Sequence, residues 1–175
     1  MKKLLFIASL LVASALAVLG IAYASGLRVF LFPTRSILPT IRPGDRLAAF
    51  VSSWSVGRIK RFDIAIIRSP QGVAGVPASE IWARRIVGLP GEHIRVTHDA
   101  IYVNAAKLVL PHVMAGQEFI LSDPRFALKL DIQLGADEYY VLGDNLSHAI
   151  DSRIFGALKK RDVLGYVFYI ASKGA

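Results

Sequence analysis

From Leu4 to Ala24 the chain runs through 21 uncharged residues, nearly all apolar, relieved only by Ser9, Ser14 and Gly20. About 20 helical residues cross the apolar core of a bilayer, so the run predicts a membrane-spanning helix. Lys2 and Lys3 in front of it predict that the N-terminus stays cytoplasmic and that the rest is exported. A cleavable leader is the competing reading, because Ala22-Tyr23-Ala24 has the small-x-small form of a cleavage site. Such leaders carry an apolar region of only ~7–15 residues, which favours an anchor over residues 1–26. Both readings put residues 27–175 outside the cytoplasm.

Beyond the anchor the period shortens from helical to strand-like. Short β-rich runs fall at 46–51, 62–68, 81–88, 93–96, 100–104, 139–142 and 163–170. Turn signals separate them: Pro43-Gly44-Asp45, Ser69-Pro70-Gln71-Gly72, Leu89-Pro90-Gly91, His98-Asp99 and Gly143-Asp144-Asn145. No later segment has the pattern of a long amphipathic helix. The expectation is a mainly β protein: an antiparallel β-sheet domain over 27–175, with a smaller β insertion at about 94–135 and a hairpin at His98-Asp99. One N-terminal transmembrane helix precedes it.

Composition narrows the partners. Apolar residues make up 54% of the 175, enough for a core, and 21 Lys and Arg against 13 Asp and Glu leave a net charge of +8. Nucleic acid and an anionic membrane both attract such a surface. There is no helix-turn-helix pattern, no zinc spacing and no basic stripe interleaved with aromatics, so the membrane is the expected partner and nucleic acid is not. Cysteine is absent, which removes disulfides, thiol nucleophiles and thiolate metal sites. The acidic residues and histidines do not cluster at ligand spacing, so no metal or cofactor is expected.

The chemistry centres on Ser36-Ile37-Leu38-Pro39-Thr40, followed by Ile41-Arg42-Pro43-Gly44-Asp45, a stiff turn about ten residues past the apolar run. Taken alone, Ser36 reads as a turn serine. Three further segments change that: Arg61-Phe62-Asp63-Ile64-Ala65-Ile66-Ile67; Arg84-Arg85-Ile86-Val87-Gly88-Leu89-Pro90-Gly91-Glu92; and Gly143-Asp144-Asn145 with Asp151-Ser152-Arg153 and Gly156. In order and spacing, behind a membrane segment, these resemble the boxes of the type I signal peptidases. Those are membrane-anchored serine proteases that remove signal peptides from exported proteins. The resemblance implies that Ser36 is the nucleophile, in a box where Ile37 and Ile41 replace the family's Met and Leu. It implies that the Ser36 backbone N–H helps to hold the oxyanion. It also implies that Asp144, Asp151 and Arg153 brace the site, and that Gly88, Pro90 and Gly91 shape the turn closing the catalytic strand. Read without it, the same residues make a surface salt bridge and an ordinary β-turn.

The sequence departs from the family at the general base. The family's lysine aligns with Arg84, and Arg85 matches the arginine that usually follows. A buried lysine gives up its proton, whereas a guanidinium keeps its charge. The family's supporting serine aligns with Ala149. Lys60 and His148 are alternative bases, Lys60 from a turn before its strand and His148 by chemistry rather than by position. His93, His98 and His112 read as surface residues. A silent homologue is a further possibility, a binding or scaffold protein in which Arg84 pairs with Asp144 or Asp151 as a structural cation. A self-cleaving repressor of related chemistry is disfavoured by the apolar N-terminus and by the lack of a DNA-binding segment. The retained Ser36 box favours a signal-peptidase-like endopeptidase cutting after small-x-small sites in signal-peptide-bearing precursors. Conjugation-type pilin precursors belong to the same substrate class.

Overall fold

A computed structural model describes residues 2–73, 76–77, 79–117, 119 and 130–173. Residues 118 and 120–129 of the expected insertion lie outside the described residues. Lys2–Ala24 form a 23-residue helix, α1, with no buried residue, long and apolar enough to cross a membrane. Ser25 and Gly26 turn the chain directly into the first strand, β1 (Leu27–Leu31). Arg28 ties the junction: its guanidinium lies 4.3 Å over the Tyr23 ring and donates to the Leu27 carbonyl at 2.8 Å.

The rest is built on two antiparallel sheets. The strands are β2 (Arg46–Val51), β3 (Ile64–Arg68), β4 (Ile81–Gly88), β5 (His93–Val96), β6 (Ile101–Val103), β7 (Ala106–Lys107), β8 (Asp131–Gln133), β9 (Glu138–Leu142), β10 (Leu158–Lys159) and β11 (Val163–Ala171). One-turn helices α2 (Ser53–Val56) and α3 (Ser152–Phe155) follow β2 and precede β10. The larger sheet has the order β1-β2-β11-β3-β4-β9-β10 and the smaller one β7-β6-β5-β8. The His98-Asp99 hairpin forms as expected, joining β5 to β6.

β4 sits near the middle of the larger sheet and is buried on both faces from Trp82 to Gly88. Strand side chains alternate between faces. Trp82 and Ile86 therefore pack with Ala65, Ile67, Val141 and Val163, while Ala83 packs with Leu47, Ala49, Ile64 and Ile66. Arg84 and Arg85 are drawn inside by that same alternation, one to each face. The smaller sheet closes a third cluster, in which Ile94, Ile101, Met114 and Leu134 meet Val87, Tyr140 and Leu142.

One face near the end of α1 stays open. Register puts Val29 beside Ala48 and Tyr169, and Leu31 beside Arg46 and Ala171. Val29, Leu31, Trp54, Phe168 and Tyr169 are all exposed there, with Phe50 stacked on Phe168 at 4.5 Å.

Candidate active site

Ile37 and Ile41, one helical turn apart, are both fully buried in the core beneath β2 and β3. The Ile41 N–H donates to the Ile37 carbonyl at 3.0 Å, so the pair staples the turn down and leaves Ser36 facing the other way. Asp45 reinforces the turn by accepting from the backbone N–H of Arg42 at 2.8 Å and of Lys173 at 3.0 Å. Stiffness here is expected from the prolines.

Arg84, 48 residues further on, reaches Ser36: its Nη1 lies 3.0 Å from the Ser36 Oγ. The rest of the guanidinium is satisfied by carbonyls. Nε and Nη2 donate to Ile150 at 3.0 and 2.8 Å, Nη1 donates to Ala83 at 2.7 Å, and the plane lies 4.5 Å from the Trp82 ring. Burial pushes Arg84 down to about 10, with Asp151 opposing that shift and Arg153 adding to it. A cation held by neutral oxygens and an aromatic face is desolvated without full compensation.

The three bracing residues are not at the surface. Asp144, Asp151 and Arg153 are all buried. Asp144 pairs with Arg85 (Nε to Oδ1 2.7 Å, Nη2 to Oδ2 2.5 Å) and accepts a short hydrogen bond from the Thr40 hydroxyl. Asp151 caps α3, pairs with Arg153 at 2.8–2.9 Å and accepts from the Gly143 N–H at 3.1 Å. The surface salt bridge expected of these residues without the family resemblance is corrected: Asp144, Asp151 and Arg153 are paired in the interior. The suggested pairing of Arg84 with Asp144 or Asp151 is corrected as well, because each already holds another arginine.

Lys60 is exposed in a turn closed by Asp63, away from any described contact with Ser36. His148 is exposed, with Nδ1 3.3 Å from the Asn145 Oδ1, and no described hydrogen bond joins it to Ser36. His98 and His112 are exposed, and His93 is half-buried and paired with Asp131 at 2.7 Å. In the Gly88-Leu89-Pro90-Gly91 turn, the Leu89 N–H donates to Glu92 at 2.7 Å, and Glu92 is gripped by Arg61. Gly88 has no room for a Cβ beside Ile94 and Tyr140.

Several neighbours escaped sequence reasoning. The Thr34 Oγ1 lies 3.3 Å from the Ser36 Oγ, and a hydroxyl two positions before the serine is the signal that would have found it. Asn145 donates its backbone N–H to the Ser36 carbonyl and its side chain to the Arg35 carbonyl, both at 3.1 Å. The Ile150 carbonyl, a backbone group, carries no sequence signal. The outer edge of β4 also matters. Its pairing with β9 runs only from Arg85 to Gly88, so among the described residues no strand pairs with Ile81 to Arg84 on that side, the stretch that carries Arg84 to Ser36.

A buried serine beside a basic strand residue, behind an apolar helix, fits a membrane-bound serine peptidase. The chain belongs to the signal peptidase family, peptidase S26, which matches residues 4–171. It is similar to signal peptidase I V of Bacillus subtilis strain 168, 30% identical over 142 residues, covering 75% of this chain and 78% of that protein. It is 29% identical to signal peptidase I of Bacillus caldolyticus over 160 residues, covering 85% and 84%. A crystal structure of a signal peptidase I from Enterococcus faecalis V583 matches 63% of this chain and 97% of its own, at 29% identity and a TM-score of 0.49. The protein is accordingly a serine endopeptidase of the signal peptidase I type.

Proposed function

We propose that this endopeptidase cuts signal peptides from exported precursors after small-x-small sites, at the outer surface of the cytoplasmic membrane, with Ser36 as nucleophile. The observation carrying the reading is the 3.0 Å contact between the Arg84 Nη1 and the Ser36 Oγ. In this reading residues 1–26 are the anchor, Lys2 and Lys3 keep its start cytoplasmic, and residues 27–175 work outside. The exposed apolar face of β1, β2 and β11 adjoins the helix and rests on the bilayer.

An extended precursor segment lies along the open edge of β4 and brings its scissile carbonyl to Ser36. The Arg84 Nη1 donates to the Ser36 Oγ, but burial loosens the proton a guanidinium keeps in water. In its neutral form Arg84 takes the proton from Oγ as Oγ bonds to the carbonyl carbon. The Ser36 N–H and the Thr34 hydroxyl face the oxyanion. The same proton passes to the departing amine as the C–N bond breaks, leaving an ester on Ser36 that water hydrolyses. With Arg84 near 10, only about one molecule in a thousand carries the neutral form at pH 7. A base so sparsely populated predicts slow cleavage at neutral pH.

The test incubates the full-length protein in detergent with a precursor, comparing wild type with Ser36→Ala, Arg84→Lys and His148→Ala. Cleavage lost in Ser36→Ala and retained in His148→Ala supports the assignment. Loss in His148→Ala alone would transfer the base role to the histidine. No cleavage by wild type, restored by Arg84→Lys, would identify a silent homologue.

A further inference from the structure

We infer that Gln117 is a positioning residue for Ser36, through which the smaller sheet's arm governs the nucleophile. Gln117 follows the turn from Pro111 to Gly116, between β7 and β8, far in sequence from any residue of the catalytic turn. Its amide is used on both ends. Nε2 donates to the Val113 carbonyl at 2.7 Å and to the Asp144 carbonyl at 2.8 Å, and Oε1 accepts from the Leu146 N–H at 3.2 Å. Both polar groups flanking Asn145 are thus closed by one side chain. Only an amide can donate and accept in that geometry; a carboxylate cannot donate and a leucine does neither.

The residue between those two bonds is the one that grips the nucleophile. The Asn145 N–H donates to the Ser36 carbonyl, and its side chain holds the Arg35 carbonyl. A chain of hydrogen bonds therefore runs from Gln117 through residues 144–146 to the backbone of Ser36. Packing runs in parallel, because Met114 and Leu146 are buried in the same cluster. Releasing Gln117 leaves the Asp144 side chain fixed by Arg85 but frees the Asn145 backbone. The Ser36 Oγ then loses its alignment with Arg84, while the open edge of β4 is untouched. The expected effect falls on turnover and not on substrate binding. The catalytic part of this inference rests on Ser36 being the nucleophile.

The test has two arms, both on the full chain in detergent. In the first, amide exchange is followed by NMR in wild type, Gln117→Leu and Gln117→Glu. The Asn145 amide is expected to exchange about tenfold faster in both variants, with the β3 and β4 amides of Ile66 and Ile86 unchanged; the Leu146 amide stays protected in Gln117→Glu, which keeps the acceptor. In the second arm, Gln117→Leu is expected to lower kcat about tenfold and to keep KM within about twofold. Unchanged exchange at Asn145, or a rise shared equally by Ile66 and Ile86 in both variants, overturns the inference. So does cleavage at the wild-type rate by Gln117→Leu in a protein whose Ser36→Ala variant is dead. Cleavage that survives Ser36→Ala sinks the reading of Ser36 instead, and the exchange arm still decides whether Gln117 holds the loop.

Discussion

Arg85 holds Asp144 by both prongs of its guanidinium, Nε to Oδ1 at 2.7 Å and Nη2 to Oδ2 at 2.5 Å, with the carboxylate wholly out of solvent. The Thr40 hydroxyl reaches the same carboxylate, and the Arg85 Nη1 holds the Phe62 carbonyl at 2.7 Å. One carboxylate therefore fastens the serine turn, the central strand and the loop after β9. Removing a single partner strands a buried charge. Asp144→Ala is expected to cost about 3–5 kcal/mol, read as a lower midpoint in urea unfolding. Thr40→Val, which deletes the hydroxyl's bond to Asp144 and the one it accepts from the Arg85 Nη2 at 3.3 Å, is expected to cost about 1–3 kcal/mol.

With Arg84 as the proposed base, the cleavage rate depends on pH. Burial lowers this base to about 10, so the neutral form grows as pH rises toward that value. Cleavage by wild type is expected to climb about tenfold per pH unit from 7 to 9 and to level near 10. Lysine sheds its proton more readily, so Arg84→Lys is expected to raise the rate at pH 8 by about ten- to a hundredfold and to move the plateau downward. A flat wild-type profile between pH 7 and 10 would rule out a titrating guanidinium.

Gly143 lies against the Ser36 carbonyl and the Ala149 methyl, both of which a Cβ would overlap. Gly143→Ala must push the serine turn or the loop aside. A displacement of about 1 Å at the nucleophile is enough to lose about a hundredfold in kcat. The check is the cleavage rate beside a circular dichroism spectrum that stays at the wild-type shape.

The two tryptophans divide cleanly between surface and core. Trp54 is 42% exposed on the apolar face beside α1, and Trp82 is 9% exposed under Arg84. In vesicles carrying brominated acyl chains, Trp54 fluorescence is expected to be quenched in Trp82→Phe, and Trp82 fluorescence to be unaffected in Trp54→Phe. Equal quenching of both would contradict a bilayer resting place for that face.

Much of this was legible beforehand, for a physical reason. Strands at 46–51, 81–88 and 93–96 have the bounds read from β-rich runs between turn residues, because burial on one or both faces forces the pattern into the residues. β1 was missed, since its Leu27-Arg28-Val29-Phe30-Leu31 continues the apolar run of the anchor with only Gly26 as punctuation. The two-residue strands β7 and β10 are held by pairing, which leaves no periodicity to read. At the site, Ser36 and Arg84 were singled out from their boxes, and the structure brings them into contact. Their contact and the burial of Asp144, Asp151 and Arg153 depend on how the strands fold onto one another. Gln117 had no local signal, because its three partners are backbone groups, one of them close by and two in a distant loop.

The two-residue joint between α1 and β1 has a consequence for which precursors qualify. Ser25 and Gly26 leave no slack, the Gly26 carbonyl is bonded to the Val51 N–H at 2.8 Å, and Ser36 follows β1 by five residues. Five residues span at most ~17 Å, so with α1 seated in a bilayer, as proposed, Ser36 stands at a set altitude above the lipid plane. A precursor is then measured by elevation as well as by side chains. On that proposal, a small-x-small site presented a turn of helix too deep or too far out never comes level with the hydroxyl, whatever its residues.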